Sequence, residues 1–214
     1  MSNDAPSTST LLENPQSLVS MRGPSGRVAA LTASAGIVCF AVSSLLFFAT
    51  GGVSAQGTPE TQAMLATGAS GADLVRWASF VDLFGYLLLA PLALHLRQRF
   101  RHDPLIDLYT VAGLAYILIG ALGAIMLAST APQLIRDYAS ASVTQRESIA
   151  TTFTTLNQMV SVGFWQTLEG IPGGVWLVGI GTSLYHAKHR VLSLVPFALG
   201  SLLLLIAIGR ILGY

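Results

Sequence analysis

The chain has 214 residues, of which 52% are hydrophobic and only 10% are Asp, Glu, Lys or Arg. Soluble domains carry about 25% charged residues, so these charges are too few to clothe a water-facing surface, and the mean hydropathy of +0.64 agrees. A net charge of +1 supplies no field for steering nucleic acid, and the single cysteine excludes a disulfide within the chain. What is left is a polytopic membrane protein.

In chain order, residues 1–27 are rich in Ser, Thr, Asn and Pro and read as a flexible polar tail on the cytoplasmic side. Five apolar runs follow, at about 28–50, 74–96, 108–128, 163–185 and 191–212. About 20 helical residues cross the hydrocarbon of a bilayer, and in lipid a lone segment satisfies its own backbone only as a helix. The expected fold is therefore all-α, a transmembrane helical bundle of five spans over residues 28–214. Arg22 and Arg27 precede the first run, and Val53, Ser54 and Ala55 follow it like a signal-peptide cleavage site. The run is longer than a signal-peptide core, so we read it as a retained anchor.

Orientation follows from the basic residues flanking the spans. Arg22, Arg27, Arg97, Arg99, Arg101, Lys188 and Arg190 fall on one side of a five-span arrangement, against Arg76, Arg136, Arg146 and Arg210 on the other. This places the N-terminus inside and the C-terminus outside. The connection over 129–162 lies outside and is partly helical. Pro132 is expected to end the third helix. Beyond it Ile149, Phe153 and Leu156 share one helical face, which predicts a helix running on into the fourth span. A separate span over 151–170 would carry Asn157, Gln158, Gln166 and Glu169 into lipid, a costlier arrangement.

Small residues let helices approach in lipid, where no hydrophobic force drives them together. Gly120, Ala124 and Ala128 recur at four-residue spacing in the third span, and Gly170 and Gly174 form a GxxxG pair in the fourth. Pro172 is expected to kink the fourth helix near Leu168.

Two carboxylates fall inside spans, Asp82 and Glu169, at similar distances from the outer boundary. Ala78, Ser79, Asp82 and Tyr86 line one helical face, and Val162, Gln166, Glu169, Gly173 and Trp176 line another. Arg76 and Arg210 lie on the same side and are candidates to neutralise the acids. Buried charges persist only when paired or hydrogen-bonded. Two readings stand: a polar cluster of Arg76, Asp82, Tyr86, Gln166, Glu169 and Arg210 that fixes helix register, or a solute- or proton-handling site.

His95, His102, His186 and His189 all lie toward the inner side. His95 and His186 are the one pair at comparable depth, which leaves a b-type haem as a third reading. No metal-ligand spacing stands out. Trp77 and Trp165 are placed at the outer headgroups, and Arg97, Arg99 and Arg101 with Phe100 are candidates to meet anionic lipid. The sequence lacks a Gly-x-Ser-x-Gly elbow, a His-Glu-x-x-His pair, a P-loop and a dinucleotide fingerprint. No catalytic residue is assigned.

The stretch Leu168-Glu169-Gly170-Ile171-Pro172-Gly173-Gly174-Val175-Trp176, with Asp82 in an earlier span, resembles small bacterial integral-membrane proteins of no established activity. The resemblance implies a multi-pass protein of a bacterial inner membrane. The leading expectation is a non-enzymatic accessory or assembly subunit that binds a membrane-protein partner or its own copies through helix faces. No nucleic acid is expected.

Overall fold

A computed structural model describes residues 24–50 and 61–213 of the chain. These residues are helical almost throughout and contain no strand. The elements are α1 (Pro24–Ala49), α2 (Thr61–Ala66), α3 (Gly68–Leu87), α4 (Ala90–Arg99), α5 (Ile106–Ser140), α6 (Val143–Gln158), a π-helical segment (Met159–Leu168), α7 (Gly170–His186) and α8 (Arg190–Ile211). Among the described residues four helical stretches are long and apolar enough to cross a membrane: Pro24–Ala49, Gly68–Arg99, Ile106–Ser140 and Arg190–Ile211. Most of the expected tail and the triplet at 53–55 lie outside the described residues. Helix α1 begins at Pro24, four residues before the expected boundary, because proline suits the first helical turn, where no N–H donor is needed.

The packing order is α1 on α3, α3 on α5, α5 on α7 and α7 on α8. Helix α5 is central, with 44% of its apolar window buried against 11% for α1 and 17% for α8. The outer helices turn Leu31, Ile37, Leu45, Val191, Leu194 and Leu205 away from the protein. Such faces are expected where lipid is the solvent.

Two apolar clusters fill the interior. At one end α2 packs Met64 and Leu65 against Val75, Leu127, Ile135, Phe153 and Val160. The second cluster joins Tyr86, Ala93, Ala112, Ile117, Ala121 and Trp176. Of the predicted face of α6, Phe153 is fully buried, while Ile149 and Leu156 are half-buried.

Prolines set the breaks differently from expectation. Pro132 does not end the third helix, for α5 runs on through it to Ser140. An interior proline costs about 3 kcal/mol. Here Leu127, Ala128, Ala131, Pro132 and Ile135 form one buried face, and tertiary packing holds the helix together. Pro91 lies in the first turn of α4 and has no N–H to offer Leu87, so the expected second span divides at Leu88 and Leu89. The turn after α5 is held by a capping box between Ser142 and Gln145. Arg146 donates to the carbonyls of Tyr138 and Ala139 at 3.2 and 3.3 Å, satisfying the free end of α5.

Candidate functional site

The site forms where α3, α5 and the start of α7 meet. Pro172 cannot donate to Leu168, and the chain before it winds in wider π turns. The Glu169 amide donates to the carbonyl of Phe164, five residues back, at 2.7 Å. Regular helix resumes when the Gly173 amide donates to the Glu169 carbonyl at 2.9 Å. The wider winding brings the Glu169 side chain into the interior, where the residue is 6% exposed.

Tyr86, also 6% exposed, reaches it from α3. Its hydroxyl donates to the Glu169 carboxylate and lies 2.9 Å from both oxygens. The tyrosine ring crosses α5 at Gly120, where any Cβ would overlap it. Tyr116 of α5 stands near the same carboxylate, and its ring lies against Gly173. Trp176, one turn further along α7, lies over Gly113. Glycine at these positions is required by close approach of an aromatic ring.

Phe40, Tyr86, Tyr116 and Trp176 form a ladder of rings from α1 to α7, with successive centroids 4.9, 5.7 and 5.9 Å apart. Edge-to-face and tilted pairs of this kind contribute about 0.5–1.5 kcal/mol each beyond their burial. Asp82 sits one turn from Tyr86 and is half-buried. Ser43 of α1, a residue 2% exposed, is its polar neighbour, and Asp82 lies within electrostatic reach of Glu169. Two carboxyl groups and two phenols thus connect α1, α3, α5 and α7. Such an arrangement is chemically suited either to join helices or to take up and release a proton at its carboxyl groups.

The other expected members stand elsewhere. Arg76 is half-buried and Arg210 exposed, and neither forms an ion pair with Asp82 or Glu169 among the described residues. Glu169 is met by the Tyr86 hydroxyl in place of a guanidinium. Gln166 is half-buried on the π-helical segment. Trp165 is half-buried: its indole N–H donates to the Gly120 carbonyl at 3.3 Å, and its ring lies over Gly123. Gly120, Ala124, Ala128, Gly170 and Gly174 are all buried. A Cβ on Gly174 would stand 2.8 Å from the Gly200 carbonyl, so α7 and α8 touch backbone to backbone.

The two histidines of the haem reading lie on different helices, His95 on α4 and His186 at the end of α7. His95 lies on α4, which packs on α1 and α5, and its buried Nδ1 has no partner among the described residues. His186 is exposed and lines a cavity at the end of α7 that His95 does not reach. Among the described residues no group of three or more His, Cys, Asp or Glu is placed to hold a metal ion.

Sequence reasoning missed Tyr116, Ser43 and Phe40. In an apolar span a tyrosine or serine carries no signal until the opposite helix supplies an acid. Comparison of the chain with protein-family models, curated proteins and solved structures returns no match.

Proposed function

We propose that this chain is a non-enzymatic integral-membrane component, an accessory or assembly subunit that binds a membrane-protein partner through the outward faces of its bundle. In this reading it spans a bacterial inner membrane five times. The fifth crossing is the helical path through the π segment and α7, with the N-terminus inside and the C-terminus outside. The bias of basic residues toward the α4–α5 and α7–α8 turns supports that orientation.

The observation that carries the reading is the enclosure of Glu169. Its oxygens are engaged by Tyr86 inside a packed ladder of aromatic rings, as suits a lock between helices. The apolar faces of α1 and α8 are then the surfaces left for association. The test is extraction from the native membrane in mild detergent. A partner copurifying in fixed stoichiometry is the expected result, and isolation as a free monomer or homo-oligomer refutes the accessory role.

A second reading, a proton- or solute-handling protein, is favoured by the π-helical winding beside the buried acid, since such windings recur at functional sites. Asp82→Asn and Glu169→Gln decide between them. Loss of a transport activity with normal abundance and an intact partner complex supports the second reading, and loss of the complex supports the first.

A further inference from the structure

A cavity of about 330 Å³ opens at the end of the bundle where the α4–α5 and α7–α8 turns meet, away from the Glu169 cluster. Its titratable walls are Arg99, His102, His186, His189 and one acid, Asp103. Both oxygens of that acid are engaged. Oδ1 accepts the Leu105 amide at 3.0 Å, and Oδ2 accepts the Ser183 hydroxyl at 2.7 Å. Asp103 therefore latches the α4–α5 turn to the last turns of α7 and shapes the cavity.

The surroundings favour an anion. Residues 97–107 and 186–190 hold five Arg or Lys against two Asp. The second of those acids, Asp107, is paired with Arg97 at 2.7 Å. The α7–α8 turn is a Schellman motif, with Lys188 N–H on the Tyr185 carbonyl and His189 N–H on the Leu184 carbonyl, each at 3.0 Å. Lys188 takes the left-handed position at φ 65°, where glycine is the comfortable residue. The fold thus accepts backbone strain at a residue that adds a cation beside the cavity. Phe100, Pro104 and Leu184 supply an apolar wall. The volume lies at the low end of the usual ligand range of about 300–1,000 Å³, fit for a phosphate with a few attached carbons.

We propose that this cavity binds a phosphate group carried on a small organic moiety, with the headgroup of an anionic phospholipid as the occupant its position at the end of the bundle favours. The inference rests on the bundle lying in a bilayer and is independent of whether a partner subunit exists. Full-length protein is reconstituted in phosphatidylcholine vesicles doped with phosphatidylglycerol, extracted, and scored for retained lipid by native mass spectrometry. His102→Gln combined with His186→Gln alters two exposed residues, and Arg99→Gln is the second variant, with circular dichroism checking the fold of both.

Wild-type protein is expected to retain phosphatidylglycerol over phosphatidylcholine. The variants should retain roughly tenfold less, the effect of one lost charge-assisted hydrogen bond. Inorganic phosphate separates the sources. If it raises the melting temperature of wild type but not of the variants, and no lipid is retained, the ligand is a soluble phosphate compound. Equal retention and equal phosphate response in wild type and variants, or neither effect in wild type, overturns the proposal.

Discussion

Tyr86→Phe tests the central contact with the smallest possible change, since the ring stays and one hydroxyl goes. The Tyr86 hydroxyl lies 2.9 Å from both Glu169 oxygens, and both residues are 6% exposed. Water cannot readily replace the lost donor. Hydrogen bonds between membrane helices average about 0.6 kcal/mol and reach about 1.7, whereas leaving a buried polar group unsatisfied costs about 1–3 kcal/mol. Tyr116 stands near the carboxylate and, by turning its hydroxyl toward it, offsets part of the loss. The expected cost is about 1.5 kcal/mol, roughly a tenfold rise in the unfolding constant. Unfolding in detergent micelles titrated with dodecyl sulfate measures it, with Glu169→Gln completing a double-mutant cycle. In the Gln background the cost of Tyr86→Phe should fall by half or more. A cost within about 0.3 kcal/mol of zero, or one identical in both backgrounds, refutes the argument, because additive effects mark residues that do not interact.

Three further outcomes follow from the packing. Gly200→Ala places a methyl group 2.8 Å from the Gly174 carbonyl and the Val178 amide, backbone atoms that cannot rotate away; it should separate α7 from α8 and cost about 2 kcal/mol in the same unfolding assay. Lys188→Gly relieves a left-handed lysine and should stabilise by about 0.5–1 kcal/mol, net of the greater freedom of glycine in the unfolded chain, read as a higher melting temperature. Arg136→Gln removes the ion pair with Asp73, whose side chains are 35% and 60% exposed. Its cost should stay below about 0.5 kcal/mol after solvent screening and shrink in high salt, and a larger loss would show the pair to be less hydrated than its exposure implies.

Helical spacing alone put Asp82 and Tyr86 on one face, and Glu169, Gly173 and Trp176 on another. Which groups would meet them was not legible. Arg76 and Arg210 were the obvious counter-charges by sign, yet Glu169 is met by the Tyr86 hydroxyl, and Asp82 has Ser43 as its polar neighbour. Sign is a weak guide where several helices present short polar groups at the same depth. Pro132 was misread for a related reason. Local rules count the lost hydrogen bond but cannot see the buried face that holds α5 together across it. Pro172 was expected to kink the helix near Leu168; what precedes it is ten residues of π winding, Met159–Leu168, which rules for a single proline do not specify.

By itself, the order of residues dictated an all-helical chain, the location of its apolar stretches, and the small residues where helices can touch. Those properties arise from composition and from backbone hydrogen bonding within each segment, which need no knowledge of neighbours. Tertiary structure decided that α5 sits at the centre and that Tyr86 reaches Glu169 across 83 residues of chain. It also decided that the two basic turns close on one cavity. Such contacts depend on which helix lies against which, and a periodic pattern that marks a face carries no record of the face opposite.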